Sequence, residues 1–330
     1  MSPWTSPREV FSQEYEARLQ ALRPGATELI KKQHIVSQAL LRRFAGQDSN
    51  GGAVLVPFDV EHGRELKQTG PAGCAWIPHF VPYASKSVEE LWQTVENKLG
   101  AAIDMVERGR LDLNTTRTIK DTMALHLVRS DRYRRIHNDG TTRVPDQVRN
   151  RVLIRYYDQL LGVYIRRNHR LPDSPRDLIR LADELVSEQA SSRLDGSDMR
   201  VMIEQTFESA KQMLNSHALE VWSTPPGSEL LISDAPAFTM QYSADRRTTR
   251  IGVAIGDAHA IVMPLSRTTL ACIGRKKKRD VLTAERVAFI NEKLIQNATR
   301  FVYYSPDSQL KSFVSLVQPT RRSANQAGSP

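Results

Sequence analysis

The hydrophobic pattern changes period near Ala218, and that change constrains the fold more than any other feature of the chain. Upstream, apolar residues recur three and four positions apart, the spacing of a helix with one buried face. The clearest stripe is Val88, Leu91, Trp92, Val95, Leu99, Ala102, Ile103 and Val106. Ser87, three residues before Glu90, gives it a capping-box start, and Gly109 ends it. Helices are likewise predicted over 7–22, 30–44, 115–137, 147–166 and 197–216, with another beginning at the Asp173-Ser174-Pro175 cap. This half contains one expected strand, 53–58, after a turn over 46–52, and a long loop over 61–82.

Downstream the runs are short, rich in β-branched residues and bounded by Pro, Gly and Asp. Strands are predicted over 229–232, 238–241, 249–254, 260–263 and 269–273. Thr283 caps a last helix reaching to about 299, and 301–304 closes as a strand. The expected fold is α+β, mainly helical with a small antiparallel sheet in the C-terminal half. The expected layout is a helical extension over 1–28, one domain over 29–305 (helical to 217, sheet-containing from 218), and a partly disordered tail over 306–330.

Charge narrows the class of partner. The 330 residues carry 46 Lys and Arg against 37 Asp and Glu, a formal net charge of +9. Such a balance favours polyanions, and nucleic acid is the expected partner. Cys74 and Cys272 stand far apart and form no zinc or disulfide framework, so both are read as reduced thiols. No stretch approaches the ~18 apolar residues of a membrane span. Glu9, Glu14 and Glu16 occupy the place of a signal's apolar core, so a cytoplasmic protein without membrane contact is expected.

Six blocks carry a resemblance. Residues 33–44, QHIVSQALLRRF, resemble the Q-H-Y-V-P-Q-x-Y-L-R-x-F element of the bacterial family catalogued as domain of unknown function 4238. Ile35 stands where that element usually has Tyr, and Ser37 where it usually has Pro. The strand 54–58 and the helix 87–106 are also similar, with Glu89 and Glu96 at the family's acidic positions. Arg129-Ser130-Asp131-Arg132-Tyr133-Arg134 is similar to R-T-P-x-F-R, Ile232-Ser233-Asp234-Ala235-Pro236 to T-S-D-N-P, and Met263-Pro264-Leu265-Ser266 to F-P-L-S. The order of these blocks covers most of 30–305 and implies a shared fold, with no settled reaction attached.

Several residues could carry chemistry, and each has a plain structural alternative. His34 shares a helix face with Gln38, as a general base or metal ligand or as a bridge between helices. Glu89 and Glu96 lie two turns apart on one face, able to share a divalent ion or to remain solvated beside Lys98. Arg129, Arg132 and Arg134 crowd a helix end, where they either clamp phosphate or complement the helix dipole. The Arg132–His137 spacing also resembles the R-x4-H motif of helical ribonucleases of the HEPN class. His126, one turn before Arg129, either joins a pocket or is a core histidine. Asp234 at a strand end is a metal or base candidate, or the carboxylate of an Asx-turn. The run Arg275, Lys276, Lys277, Lys278 and Arg279 either touches a nucleic-acid backbone or is a solvated loop. No P-loop, dinucleotide fingerprint or nucleophile elbow is present.

These residues lead to one expected reading, a metal-dependent nuclease or related phosphodiesterase in antiphage defence or a toxin-like setting. His34, Glu96 and Asp234 would form the centre, Glu89 would assist, and Arg129 and Arg134 would bind phosphate. Mg²⁺ or Mn²⁺ would sit on Glu96 and Asp234. Arg132, Arg275, Lys276 and Lys277 would hold the polymer. The alternatives are a non-catalytic nucleic-acid or partner-binding module, and a small-molecule enzyme with a pocket between helices and sheet.

Overall fold

A computed structural model describes residues 32–78, 86–130, 133, 153–154, 157–194, 197–245, 248–274 and 278–317. The predicted extension over 1–28 lies outside them.

The helical side is built on α2 (Lys86–Glu107) and α3 (Leu113–Val128). The α2 stripe packs inward through Trp92, Leu99, Ala102, Ile103 and Val106, all buried. Asp112 caps α3 by accepting the Thr115 N–H at 2.6 Å. Buried Ile119, Met123, Ala124 and Val128 then face α2 and the core. α6 (Ser197–Asn215) packs on α3, and buried Lys120 ties the two by donating to the carbonyls of Asn215 and His217. Asn215 ends α6 and its carbonyl is left open there, where a cation also complements the helix dipole. α4 (Tyr157–Asn168) and α5 (Pro175–Leu194) form a hairpin with a small core of its own: Leu160, Tyr164, Leu178, Leu181 and Ala182.

The strands are more numerous than the sequence suggested. β7 (Ala218–Ser223), β9 (Phe238–Tyr242), β10 (Thr249–Ile251), β11 (Ala260–Ser266), β12 (Thr269–Gly274) and β13 (Lys278–Val281) form a six-stranded sheet ordered β10-β9-β11-β12-β7-β13. β11 and β12 pair in register, Ile261 opposite Ile273 and Met263 opposite Ala271. β13 runs parallel to β7, so the sheet is mixed. A four-stranded sheet, ordered β5-β4-β14-β8, joins β4 (Val56–Asp59) and β5 (Arg64–Glu65) to β8 (Ile232–Ser233) and β14 (Phe301–Tyr304). Phe301 lies opposite Asp59 and Val302 opposite Ser233, so β14 joins β4 from the first part of the chain to β8 from the second. Two short pairs complete the set: β1 (Lys32–His34) with β6 (Trp76–Pro78), and β2 (Gly46–Gln47) with β3 (Ala53–Val54).

The expectation of a mainly helical molecule with a small antiparallel sheet is therefore corrected. Among the described residues there are eight helices and fourteen strands, about 45% helix and 24% strand. The missed strands are two to six residues long, and most find partners far away in sequence. Their short runs show little alternation for a reader to detect. The predicted helix over 30–44 is strand at Lys32–His34 and helix (α1) only at Gln38–Leu41. The basic run contributes β13, where Arg279 caps α2 through the carbonyls of Val106 and Glu107 at 3.0 and 3.4 Å. Gly109, at φ +81°, lets that guanidinium approach, since a Cβ there would stand 2.9 Å from Arg279 Nη1.

α7 (Ala284–Asn297) is capped by Thr283 as its sequence predicts, the hydroxyl accepting from Arg286 N at 3.3 Å. Residues 310–317 are helical (α8) and pack Leu310 and Val314 into the core.

Candidate functional site

Trp92 and Glu96 lie one turn apart on α2 and so share a face. Arg129 follows the last turn of α3, its N–H bonded to the Leu125 carbonyl at 2.8 Å. Its side chain is 2% exposed. The guanidinium sits 4.0 Å over the Trp92 ring and donates Nη1 to Glu96 Oε1. The pairing is required, because a buried cation without a counter-charge costs several kcal/mol, on the order of 3–5. The indole adds a cation–π attraction. Glu96 remains 23% exposed, so the pair has one sealed partner and one that reaches solvent.

His126 lies one turn before Arg129 and is completely buried. Neither ring nitrogen makes a hydrogen bond. The Ile35 carbonyl is near enough to favour the charged ring, yet lies outside hydrogen-bond geometry. Burial, with the Arg129 charge beside it, pushes the imidazole down to about 3, so the ring is neutral near pH 7. Ser37, fully buried two residues past Ile35, is the N-cap of α1 but makes no capping bond, and its hydroxyl has no partner. Each such unfilled group costs about 1–3 kcal/mol, and native proteins retain few of them.

The 33–37 segment is set in place from the sheet side. Ala75 O accepts from Ile35 N at 2.8 Å, while Ala75 N donates to the buried Tyr303 hydroxyl at 2.9 Å. From the helix side, Arg43 donates to Gly100 O at 2.9 Å and pairs with Asp104 at 2.7 Å, seating the segment after α1 on α2. Arg43 also holds the Asp104 carboxyl below its usual range.

Not all residues singled out in the sequence converge here. Glu96 and Arg129 meet, and His126 joins them. His34 is on β1 rather than on a helix; its Nε2 lies 3.3 Å from Ala72 O and 3.4 Å from Gln38 Nε2. Glu89 belongs to α2, but its side chain lies outside the described residues, as do Arg132, Arg134, His137, Arg275, Lys276 and Lys277. Asp234 stands elsewhere, with its carboxylate accepting the N–H groups of Thr299, Arg300 and Phe301 at 2.7, 2.8 and 2.9 Å. It clamps the turn between α7 and β14, and those partners are distant in sequence rather than the local ones of an Asx-turn.

His34, Glu96 and Asp234 do not assemble a metal-binding set. Among the described residues one such set exists, Asp59, Glu61 and His62. Arg300 already stands there, donating to Asp59 Oδ2 at 3.0–3.1 Å with His62 Nδ1 3.4 Å away. A guanidinium thus supplies the positive charge that a cation would bring.

In the sequence Trp92 has only a packing role, and Ser37 stands out only as a departure from the resembling element. The available signals were the i,i+4 spacing of Trp92 and Glu96, and the i,i+3 spacing of His126 and Arg129.

No curated protein and no solved structure matches the chain. The sequence model of one family does, over residues 32–308, with the order of blocks noted above: this chain belongs to the DUF4238 family, proteins of unknown function.

Proposed function

We propose that the α2–α3 junction is the active centre of a phosphodiesterase acting on nucleic acid. The observation that carries the reading is the sealed Arg129, held between Trp92 and a carboxylate that reaches solvent, beside a histidine with both nitrogens unfilled. Arginine presents planar paired donors to phosphate. A phosphate oxygen entering the centre competes with Glu96 for Arg129. The displaced carboxylate then accepts the proton of an attacking water as the new P–O bond forms, and gives that proton to the ester oxygen as its bond to phosphorus breaks. The excess of positive charge on the whole chain draws a polyanion to this centre. A divalent ion, Mg²⁺ or Mn²⁺, is a second claimant for the displaced Glu96, and the assay separates the two routes.

The test is incubation with labelled single- and double-stranded DNA and RNA in Mg²⁺, Mn²⁺ or EDTA, beside the Glu96→Gln and His34→Ala variants. Cleavage should fall about 100-fold or more in Glu96→Gln while the circular dichroism spectrum is kept. Cleavage undiminished in that variant refutes the centre. Salt-sensitive binding without cleavage replaces the enzyme by a nucleic-acid-binding module.

A further inference from the structure

We infer that α4 is a dimerisation surface, on which a second copy of this chain packs its own α4 in antiparallel sense about a two-fold axis through Gly162. The inference is independent of the phosphodiesterase reading of Arg129.

Apolar exposure concentrates on the α4–α5 hairpin. Five of the nine large hydrophobic side chains exposed among the described residues fall between 154 and 179: Ile154, Tyr157, Ile165, Leu171 and Ile179. The hairpin's own core takes Leu160 and Tyr164 from α4. Tyr157, Leu161 and Ile165 stand at i, i+4 and i+8 and form a second apolar row beside that core. Leu161 is half-buried, while Tyr157 and Ile165 are 51% and 38% exposed. A helix with a second, solvated apolar row has a face left to cover.

The charges say what covers it. Asp158, Gly162 and Arg166 form the adjacent row at the same spacing. Asp158 and Arg166 are both exposed, and neither has an ion-pair partner among the described residues. Turned by half a revolution about an axis through Gly162, this row matches itself: each Asp158 meets the other chain's Arg166, and glycine meets glycine. A patch that carries both signs in this order is complementary to its own copy, as an isologous contact requires. The glycine fits the same contact. Inside a helix it costs about 0.5–1 kcal/mol against alanine. A Cβ at Gly162 would meet, among the described residues, only the end of Arg166, at 3.5 Å, so packing within the chain does not call for a glycine there. A second helix crossing closely at that point does.

The experiment is sedimentation equilibrium of the full chain at about 1 to 100 µM, with thermal melting of every variant. The wild type should reach twice the monomer mass within that range. Ile165→Lys and, separately, Tyr157→Lys should each hold the chain at the monomer mass with its melting temperature kept. Asp158→Arg and Arg166→Asp should each weaken the dimer about tenfold or more, because like charges then face each other. An equimolar mixture of these two variants should recover the dimer, since each supplies the charge that the other lacks. Both substitutions also disturb the dipole of their own helix, but mixing cannot repair that, so recovery reports the contact between chains. A wild type that stays monomeric at about 100 µM overturns the inference. A dimer that keeps its full strength in both lysine variants overturns it by placing the contact on another face. Charge variants that stay monomeric when mixed overturn the antiparallel pairing and the inference with it.

Discussion

Two of the places where this molecule sets an arginine against a carboxylate are finished differently. At the sheet, Arg300 meets Asp59, whose other oxygen takes the N–H groups of Glu61 and His62, and Asp234 nearby takes three backbone N–H groups. Polar capacity there is spent on holding β14 against β4. At the α2–α3 junction, Arg129 meets Glu96, yet the buried His126 ring beside Arg129 makes no well-formed hydrogen bond. The same residue types thus make a fastening in one region and an unfinished site in the other. Satisfaction of hydrogen bonds, not residue identity, separates them.

The largest effect should come from the fastening. Asp234→Ala removes the acceptor of three backbone donors and should lower stability by about 4 kcal/mol, read from the urea midpoint. A loss below about 1 kcal/mol would mean that the turn holds itself, and the contrast would dissolve. At the junction, Glu96→Ala should cost about 3 kcal/mol by leaving Arg129 buried with no carboxylate. The double variant Glu96→Leu, Arg129→Met should return to within about 1 kcal/mol of the wild type, because a buried pair can be replaced by apolar groups at little cost. If the double variant is as unstable as the single one, the junction too is a fastening.

Acid titration sharpens the comparison at His126. Its folded value of about 3 lies below the ordinary histidine value of 6.5, so the unfolded chain binds the extra proton between them. Stability from this group is complete above pH 6.5 and is lost as pH falls toward 3, by at most about 1.4 kcal/mol per unit. Equilibrium unfolding of His126→Leu should show a shallower decline over that range, and an identical slope would mean that the ring already finds a partner. The smallest effect belongs to Tyr303→Phe, which removes the acceptor of Ala75 N and should cost about 1 kcal/mol in a urea titration.

What was legible followed from local pattern. The α2 stripe and the β11–β12 pair lie within single segments or neighbouring ones, so spacing revealed them. The Thr283 cap was equally local. β1 was misread because Ile35, Leu40, Leu41 and Phe44 keep helical spacing while the strand's partner sits more than forty residues on, at Trp76–Pro78. Asp234 read as local chemistry before a proline, yet its partners are 65–67 residues away. The basic run read as open charge, while Arg279 is spent on the end of α2. At the junction, composition pointed to Glu96 and Arg129, but which polar groups go unsatisfied is decided by packing and is invisible in the sequence.

The central place of β14 has a consequence for how the protein is made. β4 emerges early and its partner Phe301–Tyr304 emerges late, as does the Tyr303 hydroxyl that holds Ala75 and, through it, the 33–37 segment. At roughly 5–20 residues per second, a ribosome takes roughly 12 to 50 s to bridge that interval. Until then β4 has an unpaired edge and the junction lacks one of its walls. The centre proposed here therefore stays silent while the chain is being synthesised, and a chain cut before β14 would be silent for good.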